Sequence, residues 1–283
     1  MVAKAATLPA DEVVLDLEDA VGSGTGQKAA ARGELARLVE QVDFGGRSLA
    51  VPINQVGTAE ALRDLVELVP RIGALLDCIV VPKVSQLAEV GFVENCLNSL
   101  ETEVGLERRI GLEIQIESPD GLEAVTQLAS ASNRLEALIF GPGDFAAAMG
   151  MPQLAIGGAP EGYPGDIWHY PLYRIAVAAR AKGLQVIDGP YAALGDPDGL
   201  AGACRRAAAL GVDGKWAIHP SQLQPINSAF TPSPAQVERA QAVLARLQEG
   251  QGAAQLDGLM IDAASIRMAA TVLARVGREP ESR

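Results

Sequence analysis

The chain has 283 residues, 48% of them hydrophobic and 4% aromatic, with a formal net charge of −12 at pH 7. This length suffices for one large domain or two average ones. The negative charge argues against nucleic-acid and anionic-membrane binders, because both need a basic face, although local Lys and Arg side chains still allow an anionic small substrate. No apolar run reaches membrane-spanning length, and no secretory signal is evident. Three widely spaced cysteines, at positions 78, 96 and 204, indicate free thiols in a reducing cytoplasm.

Short apolar runs alternate with amphipathic stretches over the first 230 residues. The strand-like runs are Glu12–Leu17, Ser48–Ile53, Asp77–Pro82, Arg109–Ile116, Leu135–Phe140, Leu184–Ile187 and Lys215–Ile218. The helix-like segments include Val2–Leu8, Thr58–Arg71, Ser85–Leu100, Pro171–Lys182 and Pro197–Leu210. Such alternation predicts βαβ units, a parallel sheet and an α/β fold of the TIM (β/α)8-barrel type. Seven strands are one fewer than a closed barrel has, so we expect the first strand of the barrel to be lacking. Either the barrel is incomplete, or the true start of the protein lies upstream of residue 1.

The composition changes after residue 230. Pro232–Gln248 has the pattern of a helix, Glu249–Gln255 is small, polar and typical of a flexible link, and Ala263–Val276 is a final amphipathic helix before a charged tail. We therefore predict a barrel over residues 1–230 and a C-terminal helical extension and lid over residues 231–283.

Three carboxylates end the first predicted strand. In a parallel barrel the active site lies at the C-terminal ends of the strands. The period of a strand puts Asp16 and Glu18 on one face, with Asp19 just beyond the end. Carboxylates crowded at the end of a buried strand repel one another unless cations or hydrogen-bond donors meet them. Helix capping by Asp19 explains the position of one of the three carboxylates, but it does not explain the other two.

Two further carboxylates follow neighbouring strands. Glu113, Gln115 and Glu117 share one face of the fourth strand, with Glu117 at its outlet, and the fifth strand leads through a Gly-Pro-Gly turn to Asp144. Adjacent strands that each deliver one carboxylate match how Mg²⁺ is held, with water and substrate completing the octahedron. Taken alone, Asp144 is at least as well explained as the N-cap of a helix that starts at Phe145. The pairing with Glu117 favours a metal, Mg²⁺ or alternatively Mn²⁺.

Cationic side chains occur near the same strand ends. Lys83 follows Pro82, and Lys28 and Arg32 lie one helical turn apart after a Gly-rich loop over residues 22–26. These are candidates for phosphate or carboxylate contacts, and an exposed helix face is an equally good explanation of the Lys28–Arg32 pair. The sequence shows no nucleophile elbow, P-loop or dinucleotide motif, which leaves metal-assisted chemistry.

Five segments resemble, in family order, the malyl-CoA lyase, citramalyl-CoA lyase and citrate lyase β-subunit group of the HpcH/HpaI aldolase superfamily. They are residues 15–21 with Lys28 and Arg32, residues 116–117, residues 141–145, residues 188–191 and residues 214–222. The first and last are highly specific, and the last, together with residues 166–170, favours the malyl-CoA lyase branch. The resemblance covers almost the whole chain.

This resemblance implies a Mg²⁺-dependent lyase that splits a 3-hydroxyacyl-CoA such as malyl-CoA into acetyl-CoA and glyoxylate. Citramalyl-CoA or citryl cleavage and thioester hydrolysis are related alternatives. It implies Glu117 and Asp144 as metal ligands, and Asp262 as an acid donated by a lid to a neighbouring subunit of a homotrimer or hexamer; Asp262 also stands at the N-cap position of the last helix. Our remaining site predictions are Glu18 and Asp19 for catalysis, and Lys28, Arg32, Asn54, Lys83 and Gly143 for binding of substrate or CoA.

Two positions depart from the family pattern. The opening strand, an LFVP-like run in the family, is absent, and a neighbouring chain is one way in which its loss would be compensated. The family's Arg-x-Asn after the second strand reads Pro52-Ile53-Asn54 here. That Arg grips substrate oxygen atoms, and proline has no charge and no donor. The alternative function is therefore a weakly active homologue that binds metal or CoA.

Overall fold

Seven parallel strands form one sheet in which each strand pairs with the next along the chain. The computed structural model describes residues 2–22, 24, 26–158, 162–163, 165–247 and 253–276. The strands are β1 (Glu12–Val14), β2 (Ser48–Pro52), β3 (Cys78–Val81), β4 (Gly111–Ile116), β5 (Leu135–Phe140), β6 (Gln185–Asp188) and β7 (Gly214–Lys215). The predicted α/β class, parallel pairing and strand count are confirmed. Within the described ranges β1 and β7 are the two edges of a sheet curled into a half-barrel, so the closed eight-stranded barrel is not formed there.

Helices connect successive strands of this sheet, and one further helix precedes the first strand and another follows the last. They are α1 (Val2–Ala5), α2 (Gln27–Gln41), α3 (Ala59–Ile72), α4 (Leu87–Val104), α5 (Pro119–Leu128), α6 (Pro142–Ala148), α7 (His169–Arg180), α8 (Pro197–Ala209) and α9 (Leu223–Phe230). Local sequence sets several of their starts. Thr58 accepts a hydrogen bond from the N–H of Ala61 at the start of α3, and Asp196 accepts one from Gly199 at the start of α8. Short 3₁₀ turns follow α3 and precede α9.

The inner face of the curled sheet is packed with apolar side chains of small and medium size. Ala50, Cys78, Val80 and Ile139 form one buried cluster, against which Trp216 packs. Residue 50 pairs with residue 78 across β2 and β3, which places their side chains next to each other on one face. Full burial of each Val or Ile side chain contributes roughly 1.5–3 kcal/mol. This apolar layer supports the C-terminal ends of the strands.

The first strand is shorter than the predicted Glu12–Leu17. The N–H groups of Leu15 and Leu17 still donate to carbonyl groups of β2 at 3.0 and 3.2 Å. Asp16 then turns the chain, because its carboxylate accepts hydrogen bonds from the N–H of Glu18 at 2.7 Å and of Ala20 at 3.1 Å. The carboxylate of Asp16 therefore stabilises the local turn through these two hydrogen bonds.

A second compact unit, Asn227–Arg283, follows the first, Met1–Ile226. It contains α10 (Pro234–Leu247), an antiparallel hairpin of β8 (Ala253–Leu256) and β9 (Leu259–Asp262), and α11 (Ala263–Leu273). Its small core consists of Ala240, Val243, Ile261 and Ala269. The division lies close to the predicted boundary at residue 230.

The hairpin corrects part of the predicted flexible link. Residues 253–255 belong to β8, whereas residues 249–252 lie outside the described residues. Asp257 and Gly258 form the turn, with φ of 49° and 80°. Two successive positive φ angles at an Asp-Gly pair are typical of a two-residue hairpin turn, a signal that the sequence carried. The charged tail, residues 277–283, also lies outside the described residues.

The predictions made from bulk properties agree with the structure where it tests them. All three cysteines are free thiols, as predicted. In the part of the chain that the structure describes, no helix has both the length and the apolar character needed to cross a bilayer.

Candidate active site

Glu117 lies directly after β4 and is the most buried of the predicted metal ligands, with 5% of its surface exposed. The N–H of Lys83 donates to its Oε1 at 2.7 Å. Gly141, at the end of β5, leaves the space that its other oxygen needs, since a Cβ at position 141 would collide with Oε2. Burial raises the pKa of Glu117 from 4.5 to about 8; the Lys83 N–H lowers this pKa and the charge of Asp144 raises it. A carboxyl group that is this costly to ionise is a place where a bound cation is stabilising.

Asp144 lies in the first turn of α6, next to the same strand ends. The helix begins at Pro142 with Gly141 as its N-cap residue, so the predicted Gly-Pro-Gly turn and the alternative of Asp144 as an N-cap are both wrong. Proline at the first helical position is favourable, because its missing N–H has no partner there in any case. Asp144 Oδ1 lies 3.7 Å from Lys83 Nζ, and 44% of its side-chain surface is exposed.

The C-terminal ends of β1, β3, β4 and β5 form a region that we call the mouth. Lys83, which follows β3, links the carboxylates that follow the other three strands. Its Nζ lies 2.5 Å from Glu18 Oε1, 3.5 Å from Asp19 Oδ1 and 3.7 Å from Asp144 Oδ1. Burial lowers the pKa of Lys83, but the contacts with these three carboxylates outweigh it and raise that pKa above its usual value. Burial also raises the pKa of Glu18, against the effect of the Lys83 hydrogen bond. The mouth is thus an acidic site with one internal cation.

Lys28 stabilises the backbone beside the mouth. Its Nζ donates to the carbonyl oxygens of Leu17 and Glu18 at 2.8 and 2.5 Å. These bonds hold the end of β1 in the conformation that presents Glu18 to Lys83. A contact of Lys28 with substrate stays a prediction.

Arg32 has a different role from the predicted one. It is 2% exposed, and its guanidinium group binds Glu60 at 2.7 Å, Asp64 at 3.0 Å and Glu67 at 2.9 Å. Neither the predicted substrate contact nor the alternative of an exposed helix face fits this burial. Asp64 Oδ2 in turn accepts hydrogen bonds from the backbone N–H and side-chain amide of Asn54, both at 2.7 Å. Arg32 therefore acts on Asn54 through Asp64.

Pro52 and Gly143 lie close to these strand ends. Pro52 is the last residue of β2 and pairs in register with Val80, so its ring lies on the inner face of the sheet. Gly143 is in the first turn of α6, where a Cβ would lie 3.3 Å from the side chain of Ile156. Substrate binding by Gly143 and Asn54 stays a prediction.

Asp262 belongs to the second compact unit. Its Oδ1 accepts hydrogen bonds from the N–H groups of Ala264 at 2.8 Å and Ser265 at 3.2 Å, which confirms its position as the N-cap of α11. Its catalytic use stays a prediction.

A buried ion pair supports the mouth and was not predicted. Lys215 Nζ lies 2.6 Å from Asp188 Oδ2 and donates to the carbonyl oxygen of Gly189 at 2.6 Å. Gln222 donates to the carbonyl oxygen of Tyr191 at 2.7 Å. Both contacts hold the loop after β6. The signal was present, because these residues fall in the family-like segments 188–191 and 214–222, to which the sequence assigned no role.

A second unpredicted feature is a carboxyl pair inside the half-barrel, away from the mouth. Glu113 on β4 is 6% exposed, and its Oε2 has no hydrogen-bond partner. Its carboxyl group lies beside that of Glu12 on β1. Burial raises the pKa of Glu12 to about 7, against the effect of its hydrogen bond with Glu113. Burial and the neighbouring Glu12 raise the pKa of Glu113 well above its usual value, so the pair holds a proton more tightly than two exposed carboxylates do.

The donor chemistry at the mouth fits a hard cation. Among the described residues, no group of three or more His, Cys, Asp or Glu side chains is arranged to hold a metal ion by itself, so a bound ion would depend on two carboxylates with water and substrate. Two carboxylates fit Mg²⁺, which retains several waters and is usually bound through one or two carboxylates plus substrate.

Comparisons with known proteins show what the chain is similar to. The L-malyl-CoA/beta-methylmalyl-CoA lyase of Rhodobacter capsulatus is 38% identical, with 95% of this chain and 88% of that protein covered. A (3S)-malyl-CoA thioesterase of Cereibacter sphaeroides is 34% identical, with 96% and 88% covered. The crystal structure of CitE from Mycobacterium tuberculosis with magnesium, acetoacetate and coenzyme A has a TM-score of 0.75 at 29% identity, with 95% and 91% covered. The HpcH/HpaI aldolase/citrate lyase family model matches residues 1–220, and the chain belongs to that family.

Proposed function

We propose that this protein is a carbon–carbon lyase that cleaves malyl-CoA, or a closely related 3-hydroxyacyl-CoA, into acetyl-CoA and glyoxylate in a reversible Claisen-type reaction. The observation that carries this proposal is the 38% identity to a malyl-CoA lyase over 95% of the chain. The meeting of Glu117 and Asp144 around Lys83 supports it, because cleavage next to a hydroxyl group creates negative charge that a cation stabilises.

Glu117 and Asp144 are the residues that we assign to a divalent ion, Mg²⁺ or Mn²⁺. Glu117 supplies a buried carboxylate, and Asp144 supplies a partly exposed one with room for water and substrate. The related CitE structure contains magnesium. When bound, such an ion supplies Lewis-acid stabilisation of the oxygens of the hydroxyl group and the keto acid.

The other residues at the mouth handle positioning and protons. The Lys83 N–H orients Glu117, and Lys28 holds the backbone of Glu18. We assign removal of the proton from the substrate hydroxyl group to the Glu18–Asp19 pair. The carbon–carbon bond then breaks, glyoxylate leaves, and the electron pair passes to the enolate of acetyl-CoA.

We assign protonation of this enolate to Asp262 of a neighbouring subunit. Both N–H bonds to Asp262 go to Oδ1, which leaves Oδ2 as the oxygen that carries the proton. This assignment requires that residues 231–283 act as a lid and that the protein is a homo-oligomer, a trimer or a hexamer.

Asp144→Ala tests the metal assignment. We expect loss of Mg²⁺ binding by calorimetry and loss of glyoxylate formation from malyl-CoA, with an unchanged circular dichroism spectrum. Asp43→Ala is the control, because Asp43 precedes β2 and so lies at the N-terminal ends of the strands, away from the mouth. Its carboxylate accepts a hydrogen bond from the N–H of Gly45 in its own turn. Full activity of Asp144→Ala at saturating Mg²⁺ would contradict the assignment.

A hybrid experiment tests the role of Asp262. Asp144→Ala and Asp262→Ala are each expected to be inactive, and mixed oligomers are expected to regain activity because some sites combine an intact mouth with an intact Asp262. A monomer in sedimentation equilibrium, or mixtures that stay inactive after subunit exchange has been verified, would count against donation between subunits.

A malyl-CoA thioesterase is the second candidate. It is favoured by the 34% identity to such an enzyme. Pro52, which stands where the family that the sequence resembles has an arginine, instead supports a weakly active homologue that binds metal or CoA. The two activities differ in their products. Lyase activity releases glyoxylate and acetyl-CoA, whereas hydrolysis releases malate and free CoA thiol. Phenylhydrazine trapping of glyoxylate and a thiol reagent, applied to the same reaction, separate them.

A further inference from the structure

Among the described residues, four carboxylates and the ammonium group of Lys83 meet at the mouth. Lys83 Nζ lies within 4 Å of carboxylate oxygens of Glu18, Asp19 and Asp144, and the N–H of the same residue binds Glu117. Lys28 also lies near, but its ammonium group is used by two backbone carbonyl oxygens. Lys83 is thus the cation that compensates Glu18 and Asp19.

The backbone of Lys83 is adapted to this double contact. Its φ is +54°, a left-handed conformation that costs a residue with a Cβ roughly 1–2 kcal/mol. In this conformation the N–H points to Glu117 while the side chain reaches Glu18. One residue therefore contacts both the carboxylates assigned to the metal and those assigned to proton transfer.

We propose that the Lys83 ammonium group fills a second cation position, so that the mouth accepts one divalent ion and excludes another. This inference rests on the proposed metal site at Glu117 and Asp144. Two-metal sites hold their ions about 3.5–4 Å apart. Lys83 Nζ lies within 4 Å of carboxylate oxygens of Glu18, Asp19 and Asp144, so it occupies the space among these carboxylates that a second ion would need. One or two carboxylates with water suffice to bind such an ion.

The charge balance agrees with this role. With a divalent ion and Lys83 present, four carboxylates are left with one uncompensated negative charge. Loss of the ammonium group leaves two uncompensated negative charges, concentrated at Glu18 and Asp19. It also removes a positive charge that repels the first divalent ion. At separations of a few ångströms this repulsion corresponds to an affinity difference of about tenfold or more.

The number of Mn²⁺ ions bound per chain tests the proposal. Mn²⁺ titrations of the full chain, followed by electron paramagnetic resonance, are expected to give one ion for the natural protein. Lys83→Met is expected to bind two, with spin-coupled signals, and to bind the first ion about tenfold more tightly. Lys83→Gly is expected to do the same, because it keeps the N–H to Glu117 and relieves the positive φ. The control is Lys182→Met, at an exposed lysine after α7.

The outcomes separate this inference from the proposed function. Failure of the natural protein to bind Mn²⁺ would refute the metal site itself. One ion in the natural protein and one in both Lys83 variants would refute the role of Lys83 and leave the metal site intact. Two ions in the natural protein would also refute it. If Lys83→Met does not fold, as judged by circular dichroism, Lys83→Gly decides the question.

Discussion

Replacement of Glu117 by glutamine is expected to stabilise the metal-free protein and to abolish its binding of divalent ions. The glutamine side chain has nearly the same shape, and its oxygen can still accept the hydrogen bond from the Lys83 N–H. The substitution removes only the requirement to ionise a carboxyl group that is 95% buried, as its 5% exposed surface indicates.

The size of the effect follows from the pKa of Glu117. A rise from 4.5 to about 8 corresponds to about 5 kcal/mol, at about 1.4 kcal/mol per pKa unit. The folded-state pKa is the higher one, so the folded protein binds the proton more tightly. The contribution of Glu117 protonation to the unfolding free energy is fully present below pH 4.5. It is lost as the pH rises from 4.5 to 8, and it changes no further above that range. The unfolding free energy of Glu117→Gln should therefore exceed that of the natural protein by about 3 kcal/mol at pH 7 and by about 5 kcal/mol at pH 9.

Urea denaturation at pH 5, 7 and 9 in the presence of EDTA measures this difference. In separate measurements without EDTA, added Mg²⁺ should stabilise the natural protein by mass action and leave Glu117→Gln unchanged. Glu103→Gln, at an exposed position of α4, is the matched control and should follow the natural protein at every pH. Unfolding free energies of Glu117→Gln and the natural protein that run parallel from pH 5 to 9 would refute the reasoning.

Three further predictions concern other parts of the first unit. Glu113→Gln should raise the unfolding free energy more at pH 8 than at pH 4.5, because burial raises the pKa of Glu113 well above its usual value and the cost of ionising it in the folded protein grows as the pH rises above 4.5; equal gains at both pH values in urea denaturation would contradict this. Arg32→Met should cost about 3–5 kcal/mol of unfolding free energy, because the buried carboxylate of Asp64 then keeps its hydrogen bonds from Asn54 but loses its cation, whereas Arg37→Met, at an exposed pair, should cost much less in the same assay. Pro52→Arg should raise kcat/KM for condensation of glyoxylate with acetyl-CoA, and an unchanged rate would show that position 52 does not bind the keto acid.

Local pattern was enough to predict much of the fold. Apolar runs separated by amphipathic stretches determined the seven strands, their parallel pairing and most helix positions, because burial on both faces demands such runs. The same logic placed Glu117 and Asp144 near each other, since the C-terminal ends of adjacent parallel strands meet at one edge of a sheet. The Asp-Gly pair at the turn of the hairpin in the second unit is also a local sequence signal for that hairpin. The small and polar residues that precede it favoured the prediction of a flexible link.

Only the tertiary structure decided which partners the charged residues have. Arg32 binds Glu60, Asp64 and Glu67, which lie about one helix later in the chain, and spacing within a helix does not show which neighbour will cover it. The position of Lys83 among four carboxylates depends likewise on the way β1, β3, β4 and β5 converge. Hydrophobic periodicity is a local property of the chain, whereas the compensation of buried charge depends on groups that only folding brings together.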